Sequence, residues 1–132
     1  MTSMALILIA NDNCDLLESC RAILEGDGHV VEIVADGEKA LERARAWQPD
    51  AVVIDWVMPR MDGPTAIEAL RADPATERLP ILLMSGTDGG EATAIEVGAD
   101  AFLAKPFMAA DFSAAVERLL EMNERRSVAT RQ

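Results

Sequence analysis

Positive charge is scarce in this chain. Its 132 residues carry 12 Lys and Arg against 23 Asp and Glu, a formal net charge of −11 with a single His. A surface this acidic repels phosphate backbones, which argues against direct nucleic-acid binding. It also lacks the basic amphipathic stretch of a helix that lies on a membrane. Long hydrophobic runs are missing as well. The longest, Met4 to Ala10, is far too short to span a bilayer. No basic segment followed by a long apolar one opens the chain, so no secretion signal is expected. Cysteine is limited to Cys14 and Cys20. On one helix, six residues give about 9 Å of rise, too far for a disulfide. Unpaired thiols, expected in or near the core, suit a reducing cytoplasm. No Ser/His/Asp set is apparent, and His29, following Gly28 at a turn, reads as an exposed or structural residue.

Half of the residues are apolar, and the length fits one domain with a real core. Apolar segments alternate regularly with helical patterns. Met4–Ala10, Val30–Val34, Ala51–Ile54, Pro80–Met84 and Ala101–Ala104 read as strands. Several are continuously apolar, as strands covered on both faces are. Glu32 marks the second as an edge or a strand with an exposed face. Helical spacing of apolar residues runs through Asp15–Glu25, from Asp36-Gly37 to Trp47, Pro64–Ala72, Asp88–Val97 and Ala109–Glu124. Asp36 is placed as an N-cap. The fourth helix is the weakest, with Gly89 and Gly90 in its first turn. The polar segment from Met122 onward is the one place where disorder is expected. Five strands alternating with five helices imply βαβ units, a parallel sheet and helices on both faces. Strand order does not follow from the pattern.

In open α/β sheets, ligands bind beyond the carboxyl ends of the strands. The first strand ends at Asn11-Asp12, the third at Asp55, the fourth at Ser85, the fifth at Lys105-Pro106, and the second offers only Ala35. Asp55 closes the apolar run Ala51-Val52-Val53-Ile54, which holds its carboxylate rigidly at the sheet edge. It suits a nucleophile, a metal ligand, or both. Two ionised carboxylates at close range repel, and Mg2+ relieves this using one or two carboxylates plus waters and phosphate oxygens. A carboxylate can attack phosphorus to give an acyl phosphate. That transfer needs mainly positioning and charge neutralisation. Lys105 supplies a point charge and Ser85 a hydroxyl donor for phosphoryl oxygens.

Four segments, I-A-N-D-N at 9–13, V-V-I-D-W-V-M-P-R-M-D-G at 52–63, L-M-S-G at 83–86 and G-A-D-A-F-L-A-K-P-F at 98–107, carry a resemblance. From about Ala5 to Glu121 the chain resembles the receiver domain of bacterial two-component response regulators. The resemblance implies a flavodoxin-like, doubly wound α/β fold with strand order 2-1-3-4-5. It implies acceptance of a phosphoryl group from a phosphohistidine on a sensor histidine kinase or histidine phosphotransfer protein. Asp55 matches the phosphoacceptor, and Asp12 the acid that binds Mg2+ directly. The Val57 backbone carbonyl matches the third protein ligand. Lys105 matches the lysine that pairs with the phosphoryl group, followed by Pro106 through a cis bond. Ser85 matches the hydroxyl that moves on phosphorylation, and Phe102 the aromatic switch that turns inward with it. Pro59 and Gly63 match the loop that shapes the site. Residues 1–124 are expected to be the receiver and 125–132 a polar tail. With so little chain after the last helix, a stand-alone cytoplasmic switch acting on an effector protein is expected, unless the chain belongs to a longer one. It is not expected to be an enzyme. Partner binding is expected on the face of the fourth helix, fifth strand and fifth helix.

One position departs from the family pattern. The end of the first strand usually bears two adjacent acids, the first reaching the metal through water; here it is Asn11. A lost charge about 5 Å from a divalent ion is worth about 2 kcal/mol in a water-like medium, so weaker Mg2+ binding is expected. The alternative is a degenerate receiver that works as a phosphate-independent interaction module. A phosphatase using Asp55 is disfavoured, because haloacid-dehalogenase-like enzymes need a second Asp where Val57 stands. Val57 and Thr87 lie beside the path of an attacking water, and apolar Val57 cannot orient it, so a long-lived phosphoryl group is expected unless Val57 merely packs. Trp47, Trp56, Met58 and Met61 read as packing residues, and Arg125-Arg126 as a helix end set against its dipole.

Overall fold

Period-2 strands and period-3.6 helices resolve into ten elements. The computed structural model describes residues 4–86 and 89–131, with the side chains of the last helix described as far as Arg126. In chain order they are β1 (Leu6–Ala10), α1 (Cys14–Gly26), β2 (Val30–Val34), α2 (Gly37–Trp47), β3 (Ala51–Asp55), α3 (Gly63–Ala72), β4 (Ile81–Ser85), α4 (Gly90–Val97), β5 (Ala101–Ala104) and α5 (Ala109–Arg131). The strands form one parallel sheet in the order β2-β1-β3-β4-β5. This is the flavodoxin-like, doubly wound arrangement that the resemblance implied. Asn13, Asp36 and Asp62 cap α1, α2 and α3 by accepting the backbone N–H groups of Leu16, Lys39 and Thr65.

Side chains alternate across the sheet, so each strand feeds two cores. Ile7, Ile9, Val53, Leu82 and Met84 pack with Leu17, Cys20 and Leu24 of α1 and with Phe112, Val116 and Leu119 of α5. Leu8, Ala10, Val52, Ile54, Ile81 and Leu83 pack on the other face with Ala40, Leu41 and Ala44 of α2, Ile67 and Leu70 of α3, and Ala94 of α4. A strand slipped by one residue would exchange these sets, which pins the register. β2 is an edge strand, and its Glu32 ion-pairs with Arg43 of α2, Nη2 to Oε2 being 2.9 Å.

Several details differ from the sequence expectations. The helix anticipated from Asp88 begins at Gly90, and Asp88 itself lies outside the described residues. The polar segment after Met122 is helical through Arg131 rather than disordered. Its hold on the domain includes Arg126, which donates to Asp100 Oδ1 at 2.6 Å and to the Arg78 carbonyl at 2.7 Å. Arg126 is therefore a tertiary anchor and more than a charge against a dipole, whereas Arg125 pairs locally with Glu121. His29 is structural and buried. Its Nδ1 accepts the Ala5 N–H at 3.2 Å, so Nε2 carries the proton and donates to Glu117 Oε1 at 3.0 Å. Cys20 lies in the core, but Cys14 is exposed, and both thiols are free.

Asp100 is the hub at the opposite edge of the sheet from the strand carboxyl ends. It accepts from Arg126, from the Ile81 N–H at 2.9 Å and from Arg71 Nη2 at 2.8 Å. Arg71 also donates to the carbonyls of Gly98, Glu77 and Leu79. Burial draws the Arg71 guanidinium below its ordinary value, against the pull of Asp100. Arg71→Ala would leave Asp100 and three carbonyls short of a donor. We expect a loss of about 2 kcal/mol in urea denaturation, from the charge-assisted hydrogen bonds lost in this part-buried network while Arg126 still neutralises Asp100.

Candidate functional site

The carboxyl edge of the sheet gathers the strand-end residues by register. In the pairing of β1 with β3, Ala10 stands opposite Ile54, so Asn11 and Asp12 leave the sheet beside Asp55. Asp55 stands opposite Met84, and Ser85 opposite Ala104, one residue before Lys105. Two backbone hydrogen bonds close this edge: Trp56 N–H to the Met84 carbonyl at 3.0 Å and Lys105 N–H to the Ser85 carbonyl at 2.9 Å.

Strand alternation divides these side chains between the two faces. Asp55 shares the parity of Val53, and Lys105 that of Leu103, both on the α1/α5 side. There the Lys105 ammonium ion-pairs with Asp55 Oδ1. The contact is charge to charge rather than an aligned hydrogen bond, and Oδ1 has no other donor among the described residues. Asp55 is 5% exposed. Cys20 of α1 lies within electrostatic reach of the pair. Its thiol is pushed up to about 11, chiefly by burial, with Lys105 lowering it and Asp55 raising it. That makes Cys20 an inert floor to the site.

Ser85 and Phe102 fall on the α4 side. Ser85 is buried and Phe102 partly so. Gly90 separates them: a Cβ there would lie 2.7 Å from Phe102 Cε1 and 3.3 Å from Ser85 Cβ. The Phe102 ring therefore occupies a place that a side chain on the first residue of α4 would deny it. The Lys105-Pro106 bond is cis.

The loop between β3 and α3 is tightly closed. Gly63 N–H donates to the Trp56 carbonyl at 2.8 Å and Met61 N–H to the Pro59 carbonyl at 2.7 Å. A Cβ on Gly63 would lie 2.4 Å from the Asp55 carbonyl oxygen and 3.0 Å from Trp56 Cα. Met58 is buried, and Trp47, Trp56 and Met61 pack against the core face of α2 to α4, as packing residues. Val57 is 65% exposed, so its side chain does not pack against the loop. Thr87 lies outside the described residues.

Asn11 is fully buried. Its Oδ1 accepts the Asn13 N–H at 2.9 Å, and its Nδ2 has no hydrogen-bond partner among the described residues. Asn11 thus has a donor to spare, and its oxygen keeps one lone pair beyond the bond to Asn13. Among the described residues no three Asp, Glu, His or Cys converge. A hard divalent ion is still compatible with two carboxylates, Asp12 and Asp55, one carbonyl and water. The donor on Asn11 is the one poorly matched corner. Two features of this region gave no signal in sequence. One is the burial of Cys20 beside the charged pair. The other is the pairing of Arg60 with Asp36 at 2.8 Å, because no periodicity announces a contact between two loops.

Fold and site together define an α/β domain with an acidic, lysine-paired pocket at the carboxyl ends of its parallel strands. The family model of the response regulator receiver domain matches residues 7–117, and the chain belongs to that family. The response regulator MprA of Mycolicibacterium vanbaalenii is 36% identical over 116 residues, 86% of this chain and 49% of that protein. The transcriptional regulatory protein PrrA of Mycobacterium leprae is 35% identical over 116 residues with the same coverage, 86% and 49%. The chain thus spans about half the length of the curated relatives it matches. Among solved structures, the receiver domain of a sensor histidine kinase from Pseudomonas aeruginosa superimposes with a TM-score of 0.84 at 29% identity, covering 90% of this chain and 99% of that one. It is described with a magnesium ion coordinated in its active-site cleft. A chemotaxis response regulator of Vibrio cholerae gives 0.83 at 29% identity, covering 89% and 100%. Among the described residues no helix is long and apolar enough to cross a membrane.

Because its neighbours are backbone atoms, Gly63 has no tolerance for a side chain. We expect Gly63→Ala to cost about 2 kcal/mol in urea denaturation, in the range of overpacked sites. It should also shift the emission of Trp56, whose carbonyl closes the same loop.

Proposed function

We propose that this receiver domain is a phosphoacceptor switch. Asp55 takes a phosphoryl group from a phosphohistidine on a sensor histidine kinase or histidine phosphotransfer protein, and a downstream effector protein reads the result. The observation that carries this reading is the buried Asp55 carboxylate at a strand end, held against the Lys105 ammonium. A carboxylate oxygen of Asp55 bonds to phosphorus as the donor's phosphorus–nitrogen bond breaks. The electron pair of that bond returns to the imidazole nitrogen, which takes up a proton. Lys105, released from its pairing with the free carboxylate, neutralises a phosphoryl oxygen. Asp12, Asp55 and the Val57 carbonyl would hold Mg2+, which supplies charge neutralisation for the remaining oxygens. Ser85 would donate its hydroxyl to a phosphoryl oxygen. Its movement would reach Phe102 across Gly90, altering the face of α4, β5 and α5.

One observation favours a second reading, a receiver that works without phosphate. Asn11 is neutral where the family usually has an acid, so the site lacks one of the negative charges that attract a divalent ion. The two readings separate on treatment with acetyl phosphate, or BeF3−, plus Mg2+. On the first, Trp56 fluorescence changes in the wild type and stays flat in Asp55→Asn. A flat wild-type response would overturn it in favour of the second. Asn11→Asp should tighten Mg2+ binding roughly tenfold, the equivalent of 1.4 kcal/mol. Unchanged affinity in a Mg2+ titration would remove the charge argument.

A further inference from the structure

The loop from Trp56 to Gly63 is fastened on its far side to the start of α2. Arg60 holds φ at 67°. A non-glycine residue rarely adopts that left-handed conformation, and it persists where its surroundings over-determine it. Arg60 Nη1 donates to Asp36 Oδ2 at 2.8 Å, and Asp36 Oδ1 accepts the Lys39 N–H at 2.8 Å to cap α2. Asp36 is buried. Its carboxyl is held below the usual range first by the Lys39 N–H and further by Arg60, against the opposing effect of burial. One residue along, Met61 presses on Gly37. A Cβ there would lie 2.2 Å from the Met61 carbonyl oxygen and 2.7 Å from Met61 Cβ. Two consecutive loop residues therefore bear on two consecutive residues at the head of α2. At its other end the loop is closed by Gly63 N–H on the Trp56 carbonyl. Val57 lies inside the segment so fastened.

We propose that Arg60 is a positioning residue of the phosphoryl site: anchored to Asp36, it fixes the loop whose Val57 carbonyl would bind the divalent ion. This rests on the Mg2+ reading above. The guanidinium is paired with Asp36 and would act through the backbone. The sign of its effect is diagnostic. A cation near a divalent-ion site repels that ion, so charge alone predicts that removing Arg60 tightens Mg2+ binding. Positioning predicts the reverse, because a displaced carbonyl is a lost ligand, and supporting contacts of this kind commonly carry tenfold or more in metal affinity.

The test uses the full chain, with Mg2+ affinity read by Trp56 fluorescence and by calorimetry. The variants are Arg60→Gln, Arg60→Lys, Asp36→Asn, which keeps an N-capping residue, and the Arg60→Gln/Asp36→Asn double. We expect Arg60→Gln to weaken Mg2+ binding roughly tenfold and Arg60→Lys to recover part of the loss. The double variant should be no weaker than the worse single, as for residues acting through one contact. Urea denaturation of each variant separates stability from affinity, since a folded variant that had lost only stability would keep wild-type Mg2+ affinity. Unchanged or tighter binding in folded Arg60→Gln overturns the proposal, as does full additivity in the double. A wild type that binds no Mg2+ overturns the metal reading itself, and this inference with it.

Discussion

A carboxylate almost wholly withdrawn from water is the constraint on which the rest of this molecule turns. Burying an unpaired charge costs several kcal/mol, and Asp55 is 5% exposed. Its counter-charge comes from Lys105, just past β5, with β4 lying between the two strands. The pairing therefore exists only while the registers of β3 with β4 and β4 with β5 both hold. The hydrogen bonds from Trp56 to Met84 and from Lys105 to Ser85 lock those registers at the edge where they matter. The fully buried cores on both faces oppose any slip, since one residue of slippage would turn Val53 and Ile54 to the wrong sides.

The same alternation separates two tasks. The ion pair faces α1 and α5, over the inert Cys20 thiol. Ser85 and Phe102 face α4, where Gly90 leaves room for the aromatic ring. A short backbone connection, Lys105 N–H to the Ser85 carbonyl, links the two faces. On the proposed reading, chemistry at Asp55 and its readout at Phe102 are coupled through residues adjacent in the sheet, with no long route required.

The sequence made the strands, most helices and every strand-end residue legible, for a physical reason. A residue that closes an apolar run must emerge at the sheet edge, wherever that strand sits in the order. The order itself came from the resemblance. What stayed hidden was set by long polar side chains reaching between distant segments: Arg71 and Arg126 on Asp100, His29 on Glu117, Arg60 on Asp36. None of these leaves a period in the sequence. The extent of α5 was missed for the same reason, because its polar surface reads as solvated until Arg126 is seen to grip Asp100 and the Arg78 carbonyl. Asn11 was legible as a departure, but not the direction of its amide. That depends on Asn13 claiming its oxygen.

This direction bears on how a strongly acidic domain could receive an anion. On the proposed reading, Asp12 and Asp55 against Lys105 leave one net negative charge at the pocket, and a divalent ion converts this to one net positive. A second acid in place of Asn11 would reduce that excess and weaken the net attraction for the incoming phosphoryl group. On that reading Asn11 would hold the cation less firmly, while the loaded pocket would keep its net positive charge for the anion. Arg60 does not add to this attraction, because its guanidinium is committed to Asp36. On the proposed reading, Asn11 would trade strength of metal binding for attraction of the phosphoryl group, and occupancy by the metal would be the step at which the switch is most sensitive to its surroundings.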